Sequence, residues 1–136
     1  MAEQVAQFVA AQFPLARERG FDRFVTAVGI ANSDNVIVGG IVLSDYRGHD
    51  GKLSIYANDP RFLTPAMVSD LCRFVFVEAK FLRVTAETAK RNKRARRFVE
   101  GMGFRLEGTM RHGWHDGTDD MCIYGMTHDQ CKWIEK

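Results

Sequence analysis

The stretch from Lys52 to Ala79 constrains this chain more than any other. Leu53-Ser54-Ile55-Tyr56-Ala57 is short, β-prone and alternating, which predicts a strand. From Ala66 to Ala79 the apolar residues Met67, Leu71, Phe74, Val75 and Val77 recur at helical spacing. Thr64 stands where an N-cap belongs and Pro65 where a first-turn proline belongs, so the helix start is signalled twice. A strand that turns into a capped helix aims unpaired backbone N–H groups and a positive dipole end at one place, which favours an anion such as a phosphate. The same pattern also serves as an ordinary strand-to-helix connection, and both readings stay open on these residues alone.

The rest of the chain places this stretch in a mixed α/β sheet. Val5, Phe8, Val9 and Phe13 predict an amphipathic helix ended by Pro14. Phe24–Ile30 and Val36–Leu43 read as strands joined by the turn residues Asn32-Ser33-Asp34-Asn35, hence a hairpin. Gly39-Gly40 allows a bulge or a close backbone approach, and Arg47–Gly51 reads as a second turn leading into the Leu53 strand. After the helix, Leu82–Ala86 is a strand reached by a crossover and so parallel to the Leu53 strand. Ala89–Met102 reads as a second helix stopped by Gly101 and Gly103, and Phe104–His115 and Met121–Met126 as a closing hairpin. The tail, His128 to Glu135, reads as helical.

A chain of 136 residues suits a single domain spanning 1–136. Its net charge of +2 gives no reason to expect nucleic acid or a membrane surface as partner. No apolar run approaches the ~18 residues of a membrane span, and Met1-Ala2-Glu3-Gln4 lacks the opening of a signal peptide. Cys72, Cys122 and Cys131 stand at no metal-ligand spacing and read as reduced thiols, so the expected location is cytoplasmic and no metal is expected.

Asn92-Lys93-Arg94-Ala95, Met102-Gly103-Phe104-Arg105-Leu106-Glu107-Gly108, Arg111, Asp120 and Tyr124-Gly125-Met126 together resemble the GNAT superfamily of acyl-CoA-dependent N-acetyltransferases. The resemblance covers about residues 20 to 133 and points to the Rim-type branch, with similar proteins encoded by phages. It implies a mostly antiparallel mixed sheet, flanked by helices, whose central parallel pair splays apart. It further implies acetyl-CoA as cosubstrate and a primary amine, on a peptide N-terminus or a small molecule, as acceptor. The family's diphosphate loop reads Arg/Gln-x-x-Gly-x-Gly/Ala, and Arg61-Phe62-Leu63-Thr64-Pro65-Ala66 matches its ends. By that likeness Arg61, Phe62, Leu63, Thr64 and Ala66 would hold the diphosphate. The backbone of Tyr56 would meet the acetyl carbonyl as an oxyanion donor, and Asn92 would meet the pantetheine arm or brace the second strand.

Several positions depart from the family pattern. Thr64 replaces a glycine, and Pro65 removes one N–H from the loop. Val99 stands where many members carry a Tyr acid. Ala95 and Trp114 stand where Rim-type members carry a Ser and a carboxylate. A catalytic base is therefore sought elsewhere. His112 alternates with Trp114 on the expected strand and would share its face, and Glu87 ends the Val84 strand. Trp114 and Tyr124 are the expected acceptor-binding walls. The basic run Lys90 to Arg97 is read as a solvated helix face, or as a source of phosphate contacts through Arg91 and Arg97. With no Cys set beside a His, direct attack in a ternary complex fits better than a covalent enzyme. The departures keep a second reading alive, a GNAT-fold binding protein with weak or no activity, and a homodimer is compatible with either.

Overall fold

A parallel strand pair that is closed at one end and open at the other sits at the middle of the sheet. The computed structural model describes residues 26–34, 36–44, 48–57 and 64–134. Strands β1 (Thr26–Ala31), β2 (Ile37–Ser44), β3 (Asp50–Ala57), β4 (Arg83–Ala89), β5 (Arg105–Met110) and β6 (Met121–Thr127) form one sheet in the order β1-β2-β3-β4-β6-β5. Helix α1 (Pro65–Cys72) follows β3, and helix α2 (Lys93–Met102) follows β4. The expected helix at Val5–Phe13 and the loop residues Arg61, Phe62 and Leu63 lie outside the described residues.

The β1–β2 hairpin forms as its turn chemistry dictates. Asn32 Oδ1 accepts from the Asp34 and Val36 N–H groups at 2.9 and 3.0 Å, an Asx turn. The register slips between Ile30 and Ala31, opposite Gly39 and Ile37, which puts the bulge beside the glycine pair. β3 starts earlier than its sequence indicates, because Asp50 and Gly51, read there as turn residues, pair with Arg83 and Val84. Gly51 fits this place for want of a side chain: a Cβ there would lie 2.8 Å from Phe81 and 2.9 Å from Leu43.

The β3–β4 ladder runs from Asp50↔Arg83 to Leu53↔Ala86 and ends, although the strands continue to Ala57 and Ala89. Beyond that point β3 stays paired with β2 through Gly39↔Ala57, and β4 stays paired with β6 through Ala89↔Met121. The sheet thus divides into two halves joined at one end, as the expected splay requires. Two charge pairs straddle the joint. Asp50, 2% exposed, lies 3.6 Å from Arg83 Nε and accepts from the Thr85 hydroxyl at 3.3 Å. Arg83 reaches on to Glu107 with two N–H donors, at 2.9 and 3.3 Å. That fork passes over Gly125, where a Cβ would run into Glu107 and Arg83. Lys52 and Glu87 make the second pair at 3.5 Å.

The helix after β3 begins as read and continues differently. The Thr64 hydroxyl accepts from the Met67 N–H at 3.3 Å, and Pro65 occupies the first turn. From Arg73 to Glu78 the chain widens into a π-helix, closed by Ala79 N–H donating to the Phe74 carbonyl at 2.8 Å. Four apolar residues in a row, Phe74 to Val77, cannot all face inward. Val75 and Phe76 are buried, Phe74 is half-buried and Val77 is 49% exposed. α2 is shorter than expected, since Ala89 belongs to β4 and Asn92 is the cap, while Gly103 ends it with φ of 109°. The tail forms a short 3₁₀ turn at His128–Gln130. One core holds the sheet and both helices together, with Leu43, Leu53, Val75, Phe76, Val84, Val99, Met102 and Tyr124 among its buried members.

Arg83→Met leaves the Asp50 carboxylate buried without its cation. Denaturant unfolding should show a loss of about 3 kcal/mol, the low end for breaking a buried pair because Arg83 is partly hydrated.

Candidate active site

Past Leu53 and Ala86 the opened strands border a cleft of ≈ 450 Å³. Consecutive residues of each strand line it, Lys52 to Ile55 and Ala86 to Ala89. Neighbouring residues of a strand point to opposite faces, so the cleft is a slot through the sheet rather than a dish on one side. Ala95, Phe98 and Val99 of α2 add an apolar wall. Trp114 and His115, from the loop between β5 and β6, add a second. Thr88 is 4% exposed in the slot's wall, and its hydroxyl has no hydrogen-bond partner among the described residues.

Each helix follows a strand that runs toward the open end. Asn92 lines the cleft and caps α2, its Oδ1 accepting from the Ala95 N–H at 3.1 Å. At α1, Pro65 has no N–H and the Met67 N–H is taken by the Thr64 hydroxyl, while Val68 N–H donates to the Thr64 carbonyl at 3.1 Å. That leaves Ala66 as the first-turn backbone donor among the described residues. Tyr56 belongs to β3 beyond its last pair with β4, facing Gly40 of β2 in register. Alternate residues of a strand direct their N–H and C=O groups to opposite neighbours, and Arg83 N–H donates to the His49 carbonyl at 3.2 Å. Beyond Leu53 it is therefore Ile55 that turns its backbone groups to the slot, while those of Tyr56 turn to β2, contrary to the sequence-based expectation.

The loop Arg111–Asp120 is where sequence and structure part. β5 stops at Met110, so His112 lies in a turn, with φ of 54°, and not on a strand face shared with Trp114. Its N–H donates to Asp120 Oδ1 at 2.9 Å and its Nδ1 lies 3.0 Å from the Gly117 carbonyl. His112 is exposed and is not among the residues lining the cleft. Trp114 does line it, as does Glu87, which lies inside β4 rather than at its end. Tyr124 does not. It is 0% exposed, its hydroxyl donating to Glu100 Oε2 at 2.6 Å and accepting from Arg96 Nε at 3.0 Å. Tyr124 is thus a core residue, lying in the same apolar cluster as Val99 and Met102 of α2, with its hydroxyl held by Arg96 and Glu100 of that helix. Arg91 is tied to the loop, donating to the Thr118 carbonyl at 2.8 Å and facing Asp119 at 3.6 Å, whereas Arg97 is exposed.

His115 is the cleft residue that strand alternation misses. On a continued strand it would point away from Trp114; the turn brings both to the cleft, ring centroids 4.4 Å apart and at 68°. Burial, and then the Lys52 ammonium, hold its imidazole below the ordinary range, with Glu87 and Asp116 pulling partly the other way. Cys72, Cys122 and Cys131 are buried free thiols, and burial beside Cys131 pushes Cys72 well up, which makes it unreactive. No helix among the described residues is long and apolar enough to cross a membrane, and no metal-binding cluster occurs among them.

A family model described as an acetyltransferase (GNAT) domain matches residues 2–105, most of the chain. The chain belongs to the GNAT acetyltransferase family. Among curated proteins none matches. Solved structures share the fold at low identity. A mutant form of the spermidine/spermine N-acetyltransferase SpeG from Vibrio cholerae has TM-score 0.67 at 13% identity, over 76% of this chain and 67% of that one. The spermidine N-acetyltransferase of the same organism, in complex with CoA and spermine, has TM-score 0.66 at 12% identity, over 77% and 66%. A GNAT-family acetyltransferase from Bacillus anthracis has TM-score 0.60 at 22% identity, over 76% and 66%. This GNAT chain therefore spans about two thirds of the length of each. The common part is the fold.

The lowered His115 makes a stability signature. Its folded value lies below the unfolded one, so the unfolded chain binds more protons in between, and stability present above the unfolded value of about 6.5 drains away as pH falls below it. Paired denaturation of the parent and His115→Gln should show this slope in the parent and its absence in the variant.

Proposed function

We propose that this GNAT chain transfers an acetyl group from acetyl-CoA to a primary amine by direct attack within a ternary complex. The observation that carries the reading is the end of the β3–β4 ladder at Leu53↔Ala86, with a slot of ≈ 450 Å³ at that break. Its lining suits a pantetheine-like arm, which alternates amide and alkyl segments. Leu53, Ile55, Ala86, Ala89, Phe98 and Val99 offer apolar contact, while Ser54, Thr88 and Asn92 offer polar atoms. The diphosphate would lie at the start of α1, against the Ala66 N–H and the loop Arg61, Phe62 and Leu63, with Thr64 close by. The Thr64 hydroxyl already accepts from Met67, so it supports the helix more than the ligand. The backbone N–H of Ile55, which alternation turns toward the slot, would donate to the carbonyl oxygen as charge develops there, the role expected of Tyr56.

The amine would approach past Trp114, and Glu87 is the sequence-predicted base that shares its cleft. Acceptor chemistry follows by analogy. SpeG acts on spermidine and spermine, and the Rim-type likeness points to peptide N-termini; both are primary amines. Three buried free thiols fit a reducing, cytoplasmic setting.

Titration calorimetry with acetyl-CoA and CoA tests the reading. Both should bind the parent. Ala95→Phe, which fills the slot from the α2 wall, should weaken binding by at least about tenfold, or 1.4 kcal/mol, while leaving the melting temperature near the parent's. Absence of binding to the parent would move the chain to the reading of a GNAT-fold binding protein.

A further inference from the structure

Direct transfer needs a group that removes a proton from the attacking nitrogen. Of the two sequence-predicted bases, His112 stands outside the cleft with its Nδ1 against the Gly117 carbonyl, and Glu87 is engaged by Lys52 at 3.5 Å. His115 lines the same slot as Glu87, Lys52 and Trp114. We propose that His115 is the catalytic residue that takes the proton of the acceptor amine, in a slot flanked at its closed end by the Lys52–Glu87 pair. This rests on the acetyl-transfer reading and names the acid–base group of that site.

Three observations support the assignment. The first is fixation. The loop carrying His115 is tied down by Trp114 N–H donating to the Asp119 carbonyl at 3.1 Å, by His112 N–H on Asp120, and by the Trp114 ring set edge-on to the imidazole. A proton acceptor held in place needs no reorganisation when the amine arrives. The second is position. Lys52 lies in β3 one residue before the last β4 pair, and Glu87 in β4 one residue after it, so the two strand-borne charges acting on His115 flank the point where the strands part. The third is charge state. The groups that act on the imidazole are Lys52 from β3, Glu87 from β4 and Asp116 from its own loop, and burial with Lys52 prevails. A neutral imidazole near pH 7 can accept a proton; an imidazolium cannot.

The step balances without any further reactant. The neutral amine nitrogen forms the N–C bond at the thioester carbonyl, the C–S bond breaks, and its electron pair leaves on the sulfur of CoA. The surplus proton on nitrogen passes to His115, and from His115 or through water to that sulfur.

The test follows thiol release from acetyl-CoA by the full chain, using spermidine, a peptide with a free N-terminus, and an N-blocked peptide with one lysine as acceptors. With the best acceptor, His115→Gln should lose about 10²–10⁴-fold in kcat and keep its acetyl-CoA affinity by calorimetry. The acidic limb of the parent's kcat/KM profile should disappear in that variant. Lys52→Met should move the limb to higher pH, because the positive neighbour is gone, and Glu87→Gln should move it to lower pH. If His115→Gln binds acetyl-CoA and turns over like the parent with the same limb, the assignment is wrong. If that variant fails to bind, the limb in Lys52→Met decides: a rise supports His115, and an unmoved limb overturns it. A parent that binds no acetyl-CoA removes the acetyl-transfer reading, and the proposal falls with it.

Discussion

Everything in this molecule that concerns a ligand depends on β3 and β4 being joined firmly at one end only. The joint is polar. Asp50 and Arg83 face each other at the first register pair, and Arg83 continues to Glu107, binding β3, β4 and β5 into one arrangement across the intervening β6. A buried carboxylate is expensive unless compensated, so this contact fixes register more than it adds stability. A slip of one residue would turn Arg83 to the other face of the sheet, away from Asp50. With the closed end fixed, backbone pairing with β2 and β6 holds each strand straight past Leu53 and Ala86, and the gap between them stays open.

The slot inherits its chemical division from strand alternation. Leu53, Val84, Ala86 and Thr88 are buried, while Lys52, Thr85, Glu87 and Ala89 alternate with them and are half-buried. Val99 of α2 lies in the apolar core cluster with Leu53 and Ala86, and Ala95 and Phe98 extend that apolar wall into the slot. Lys52 and Glu87, two of the charges that act on His115, sit at the half-buried positions of that alternation. The π-helix after α1 serves the same frame from outside. It buries Val75 and Phe76 in the core that supports the sheet.

Much of this architecture was legible beforehand, and for local reasons. Thr64-Pro65 marked a helix start because capping and proline geometry are properties of adjacent residues. Asn32 marked its turn for the same reason. The parallel sense of β4 followed from a helical crossover, and the splay was implied by family likeness. Strand ends were harder. Asp50 and Gly51 have the composition of a turn and join β3 because Arg83 and Val84, over thirty residues away, supply partners for them.

The sequence by itself determined the order of the described strands and helices, the start of α1, the hairpins and the family, since each rests on short-range spacing or on a motif carried along the chain. Only the tertiary structure decided which groups share the cleft. His112 looked placed for the acceptor because an unbroken strand was assumed for it, and Tyr124 because an aromatic ring suits an acceptor wall. The turn after Met110 takes His112 outward and brings in His115, and the packing of α2 on the sheet buries Tyr124 against Arg96 and Glu100. Side-chain direction in a loop follows no period, and burial depends on which distant element lies alongside. Neither can be read from neighbouring residues.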